Sequence, residues 1–275
     1  MRRKLSMLFL QTAACKVEAA PANTDELFHR LWAAFPVEAG INVDPLVASV
    51  PDVIDVDALI DDHEQGGQTP LSPDEIAGLP FTDADGQPTD APDPSLATPL
   101  YVIDRFGCAA DRLEEILTFP DQNAIYETYD SYERRFHEDR QAFLDGDIDL
   151  LTWDGTIAVT TFPLNYEYDF RTELRRIPVG EEAGVPGNVV WMTRNFLPTP
   201  ADWHGSDGYF KQDYQLELYL PVDGGDIVHL YPVWRELMAL GQTLDNDAAA
   251  GINFGQTISF DKKTAETCEN GLPTP

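Results

Sequence analysis

The chain has 275 residues, 43% hydrophobic and 11% aromatic, enough to bury the core of one large domain. Asp and Glu number 48 against 18 Lys and Arg, a formal net charge of −30. Such a surface repels nucleic-acid phosphates and anionic lipid headgroups, which excludes both as expected partners of the globular part.

Residues 1–15 read as an export signal. Arg2, Arg3 and Lys4 form a positive start, and the short apolar segment 5–14 falls well below the ~20 apolar residues of a spanning helix. Thr12-Ala13-Ala14-Cys15 resembles a bacterial lipobox. That resemblance implies cleavage before Cys15, a diacylglycerol on its sulfur and a place in the cell envelope, with the anchor as the only membrane contact. Cleavage after Ala19 or Ala20, giving a secreted protein, and a frayed cytoplasmic start are the alternatives. If Cys15 is lipidated, Cys108 and Cys268 remain as an even pair that an oxidising compartment joins. Two separate buried thiols are the other reading.

Within 16–42, Leu27, Leu31 and Trp32, with Phe28 and Phe35 beside them, predict a short helix over 25–35. Thr24 or Asp25 is its expected cap. Residues 43–98 are crowded with proline and aspartate and predict an irregular acidic tether with one short helix near 73–77. The main domain is expected over 99–275. It opens with a strand at 100–106 and a helix at 109–119 carrying Leu113, Ile116 and Leu117 inward. Strands follow at 132–137, 147–153, 156–162, 166–177, 189–197 and 210–220. Asp154-Gly155, Val185-Pro186-Gly187 and Asp223-Gly224-Gly225 supply turns between them. A last strand at 227–230 leads to a predicted helix over 232–241, with Val233, Leu237 and Leu240 inward. No clear element is expected after Asn246.

The most distinctive segment is 165–174. Tyr166, Tyr168 and Phe170 alternate with Glu167, Asp169 and Arg171, the period of two that marks a strand with one dry face. The whole order predicts an α+β fold, a curved antiparallel sheet packed against a C-terminal helix.

That order over 100–240, carried by the strand 100–106 with its following helix, the strand 156–162, the aromatic strand 166–177 and the segment Val228-His229-Leu230-Tyr231-Pro232-Val233-Trp234-Arg235, resembles the START/SRPBCC helix-grip superfamily. Asp169-Phe170-Arg171 loosely echoes an Arg-Asp pair of lipid-transfer members, with the order changed. The resemblance implies a hydrophobic tunnel between sheet and helix.

A site for a hydrophobic small molecule or lipid is therefore expected, with Trp153, Tyr166, Tyr168, Phe170, Trp191, Tyr214, Leu218 and Trp234 as candidate walls. Simple core filling competes for each of them. An inward Arg171 or Arg194 would require an anionic partner, and strand parity puts Arg171 opposite the aromatics. The loop 203–210 is the expected gate. The five histidines form no metal spacing, and His204-Gly205-Ser206-Asp207-Gly208 lacks the first glycine of a nucleophile elbow. Asp145-Gly146-Asp147-Ile148-Asp149 starts like a calcium loop, but Leu150 and Thr156 stand where that loop needs Gly and Glu. No catalytic residue, metal or cofactor is assigned. The rival readings are a START-like cyclase or hydrolase with an ionisable group in the pocket, and an interaction module whose aromatics all fill the core.

Overall fold

The computed structural model describes residues 19–35, 43–60, 62–161, 164–201, 208–239, 242–243 and 246–273. Its centre is one antiparallel sheet. The strands are β1 (Glu64–Gly67), β2 (Thr98–Gly107), β3 (Ser131–Phe136), β4 (Leu150–Thr161), β5 (Leu164–Pro178), β6 (Val189–Phe196), β7 (Gly208–Val222) and β8 (Asp226–Ala239). They lie in the order β1-β2-β8-β7-β6-β5-β4-β3, with the short β9 (Gln242–Thr243) against β8. Gly224 and Gly225 both take positive φ, 95° and 86°, which makes the tight hairpin that pairs Val222 with Asp226.

The expected curved sheet with a C-terminal helix is present, but the helix comes later than predicted. Residues 232–239 continue β8, and after α5 (Ala110–Leu117) and the short α6 (Arg140–Leu144) the closing helix is α7 (Asn246–Asn270), packed against β2 and α5. The Val233 and Leu237 spacing that reads as helical belongs to an alternating strand. Val233 and Leu237 share one face with His229, Tyr231 and Arg235, and Trp234 takes the other. The predicted turn at Asp154-Gly155 is likewise absent, because β4 runs straight through it. Glycine is needed there for another reason: a Cβ at Gly155 would collide with the ring of Phe170 on the paired strand.

The expected tether is folded. Three short helices, α2 (Asp44–Ala48), α3 (Val50–Val53) and α4 (Pro73–Ile76), follow α1 (Thr24–Ala34) across the back of the sheet. Leu46, Val47, Val50, Ile54, Leu59, Leu71, Ile76, Leu79 and Phe81 are all buried in one core with α1 and the sheet. The polar Pro/Asp composition reflects an irregular path, with a few apolar side chains turned in. α1 itself is capped by Asn23, whose side chain accepts from the backbone N–H of Glu26. From α1, Trp32 sets its edge on Trp234 at 5.6 Å and on Tyr214 at 6.2 Å. The two indoles also stitch the covering segment down. Trp32 donates to the carbonyl of Glu75 at 2.9 Å and Trp234 to that of Thr69 at 2.8 Å.

His29 completes this clamp, with Nδ1 2.7 Å from Glu75 Oε1. The Glu75 hydrogen bond raises the His29 pKa above its ordinary 6.5. Burial works against the Glu75 charge, yet His29 and the Ser72 N–H hold its pKa below 4.5. A raised histidine contributes its stability in full below 6.5 and loses it as pH rises through the folded value. A lowered carboxylate contributes above 4.5 and loses it as pH falls. The clamp is therefore tightest between about pH 4.5 and 6.5. Urea midpoints measured from pH 5 to 8 should decline on the alkaline side, and His29→Gln should flatten that decline; an equal slope in both proteins would show that His29 carries none of it.

Both faces of the sheet are thus covered over β2, β8, β7 and β6, while Glu133, Arg135, Glu167 and Asp169 leave the back of β3 and β5 exposed. The face under α1 is apolar, with Tyr214, Leu216, Leu218, Leu220, Val228, Leu230 and Trp234 in its core. The face under α7 holds the candidate site.

Candidate functional site

Between this second face and α7 lies a cavity of about 180 Å³. One part of its wall is aromatic. Trp153, Ile157 and Val159 come from β4 and Tyr168 and Phe170 from β5. Tyr132 of β3, Phe210 of β7 and Phe260 of α7 add to it. The rings touch edge to face, Tyr132 to Phe170 at 5.5 Å and Tyr168 to Phe210 at 5.1 Å, the favoured geometry for aromatic pairs. Phe210 reaches this wall through a bulge. The pairing of β7 with β8 slips between Phe210 and Gln212, so Phe210 shares a face with Gln215, Glu217 and Tyr219 and not with Tyr214.

The remaining wall is polar and ionised. His229 Nδ1 lies 2.9 and 3.0 Å from the two carboxylate oxygens of Asp261 on α7. Its Nε2 lies 3.5 Å from Glu217 Oε2, too far for a full hydrogen bond. The ring stacks on Tyr219, centroids 4.4 Å apart and planes 4° from parallel. Glu217 also accepts from Asn195 Nδ2 at 2.8 Å and from the Tyr219 hydroxyl. Burial works against a charge on His229, but Asp261 and Glu217 outweigh it and push the ring pKa up to about 10. Burial also raises the Asp261 carboxyl, against the pull of His229. It opposes the charge of Glu217 too, yet His229 and Tyr219 hold that group below the ordinary range. Asp261 and Glu217 together favour the protonated form of the His229 ring. Deeper on the same face, Arg235 donates to Asp213 Oδ2 at 2.8 and 3.1 Å, and Gln215 donates to the same oxygen at 2.8 Å.

Of the predicted wall, Trp153, Tyr168 and Phe170 line the cavity. Trp191 lies on the same side of the sheet but packs in a neighbouring core with Leu113, Phe143 and Leu174. Tyr214, Leu218 and Trp234 lie on the opposite face under α1, because the covered back gives apolar side chains a second place to go. The side chain of Tyr166 and the segment 202–207, with His204, Ser206, Asp207 and most of the expected gate, lie outside the described residues. Arg171 is half-exposed and pairs with Asp154 at 2.7 Å. Arg194 is buried on the back face beside Phe35, with Glu173 as its anion at 3.0 Å. Sequence reasoning missed Glu217, His229, Asp261 and Arg134. For the first two the signal was present, since they alternate with Leu216, Leu218, Val228 and Leu230 along strands apolar on their other face.

Cys108, just past β2, and Cys268, in the last turn of α7, form a disulfide with Cα atoms 5.3 Å apart. It fastens the end of the helix that roofs the cavity.

No protein-family model and no curated protein matches the sequence. Solved structures similar to the chain include a Thermus thermophilus protein (12% identity, 62% of this chain and 96% of that one, TM-score 0.40). The human StAR-related lipid transfer protein 5 is similar at 7% identity, over 64% and 77% of the two chains, with a TM-score of 0.41. An aromatase/cyclase from a Streptomyces species is similar at 12% identity, over 62% and 93%, with a TM-score of 0.38. The chain itself shows the arrangement expected from its sequence, an antiparallel sheet gripping a C-terminal helix.

Proposed function

We propose that the protein binds a small amphiphilic ring compound between sheet and helix. The observation that carries this reading is the cavity itself, half aromatic and half polar, under α7. Its size decides against a whole lipid. At about 180 Å³ it is near the ~150 Å³ of a cavity that admits benzene and below the ~300–1,000 Å³ of drug-sized sites. Burying an aromatic guest's apolar surface contributes about 25 cal/mol per Å², offset by ordering costs.

The cyclase or hydrolase reading draws support from one observation, the His229–Asp261 pair inside the cavity. Binding remains the better fit. With its pKa pushed up to about 10, His229 holds its proton too firmly for a base working near pH 7. Glu217 is already occupied by several donors.

The lipobox-like Thr12-Ala13-Ala14-Cys15 supports export with a lipid on Cys15. The Cys108–Cys268 bridge fits an oxidising compartment. Native mass spectrometry of the full chain, followed by thermal scans with indole, phenol, naphthalene and a total phospholipid extract, tests the reading. A ring compound at a hundredfold excess over its Kd should stabilise the fold by about 2.7 kcal/mol, and the phospholipids should not. No shift with any ring compound would end the binding proposal. The same spectrum reads whether Cys15 carries a diacylglycerol.

A further inference from the structure

Among the described residues, the charges lining the cavity are matched with one exception. His229 has Asp261 and Glu217, and Arg235 has Asp213. Arg134, from the edge strand β3, also lines the cavity, yet among the described residues no carboxylate lies within salt-bridge distance of it. Its Nη1 donates to the carbonyls of Leu117 and Phe119 at 2.6 and 3.4 Å, where α5 ends. Its Nη2 donates to the Tyr132 hydroxyl at 3.0 Å. Those bonds cap a helix and hold the guanidinium in place without neutralising it.

The guanidinium carbon lies over two rings, 4.7 Å from the centroid of Tyr132 and 4.6 Å from that of Trp153. Among the described residues that line the cavity, four buried side-chain atoms find no hydrogen-bond partner: Thr193 Oγ1 and His229 Nε2 and, on this wall, Arg134 Nε and the indole Nε1 of Trp153, a residue only 2% exposed. A fixed guanidinium beside an unused N–H is a receptor for a planar anion. Next to it, Tyr132 contacts Phe170 and Tyr129, and Tyr129 stacks on Phe260 at 5.6 Å. Beside these rings the cavity of about 180 Å³ has room for one more. A cationic guest would meet Arg134 unscreened, and the carboxylates across the cavity are already taken. A neutral guest would leave the guanidinium without a counter-charge.

We infer that the guest is a small aromatic carboxylate of the benzoate class, its carboxylate at Arg134 and its ring against Tyr132 and Phe170. The inference rests on the binding function proposed above. Glu217 and Asp261 across the cavity repel the anion and set the guest's direction.

Three isosteres test it on the full, unsubstituted chain by titration calorimetry at pH 7: benzoate, benzamide and benzylamine. Benzoate should bind at least about tenfold more tightly than benzamide, the difference expected of a charge-assisted hydrogen bond, with benzylamine weakest. Arg134→Gln should erase the preference and Arg134→Lys should keep most of it. Because Arg134 also caps α5, the comparison among ligands on the unsubstituted chain is the decisive one. Benzamide or benzylamine binding as well as benzoate would overturn the anion claim while leaving the cavity a binding site. Failure of all three, with indole or phenol still binding, would do the same. Failure of every ring compound would remove the binding function along with the inference.

Discussion

Removing the Cys108–Cys268 bridge, by reduction or by the double substitution Cys108→Ser/Cys268→Ser, should cost about 5 kcal/mol of unfolding free energy. The bond spans 160 residues, and closing so long a loop takes most of its effect from the unfolded chain. For a chain of this size that corresponds to a fall in melting temperature of about 10–20 °C. Paired urea titrations of oxidised and reduced protein measure it. A difference below about 1 kcal/mol would mean that the unfolded chain already holds these ends together, or that the bond does not form in solution. A second consequence is local. Cys268 sits in the last turn of α7, so reduction should weaken guest binding even at temperatures where the sheet stays folded.

Asp261→Ala is expected to destabilise by about 3–5 kcal/mol, the cost of leaving a buried partner without its counter-charge. His229 would keep only the longer contact to Glu217 at 3.5 Å. The pH profile separates this from a simple loss of packing. In the intact protein the His229 pKa is raised from 6.5 to about 10, so its contribution is complete below 6.5 and drains away as pH rises toward 10. Asp261→Asn, which keeps the shape, should shrink that alkaline decline and lower the pH at which the His229 ring protons titrate by NMR. An unchanged titration would show that Asp261 does not hold the imidazolium.

Much of the sheet was legible because its signals are local. The alternation of Tyr168, Asp169, Phe170 and Arg171 marks β5, and Asp223-Gly224-Gly225 marks the β7–β8 hairpin. Leu113 and Ile116 likewise mark α5. The roofing helix was not legible, and its residues say why. The part of α7 over the cavity presents Gln256, Thr257, Asp261 and Thr264 inward with Phe260 as its one large apolar side chain, and Gly251 and Gly255 weaken its helical propensity. A helix that faces a polar cavity lacks the apolar stripe by which helices are recognised. The covering layer was hidden differently. Leu46, Leu59, Leu71 and Phe81 are spaced too irregularly to show any period, and only the sheet brings them together. The bulge at Lys211, which turns Phe210 away from Tyr214, leaves no mark in the alternation.

Where the sheet is covered on both faces, two kinds of position separate. Along β7 beyond the bulge and β8, even-numbered positions such as Tyr214, Leu218, Leu230 and Trp234 hold the molecule together. Odd-numbered ones such as Gln215, Glu217, His229 and Arg235 line the cavity. The parity of a position along these strands therefore tells whether a substitution alters the lining of the cavity or the apolar layer behind it, and buried ion pairs such as His229–Asp261 tie the first to stability as well.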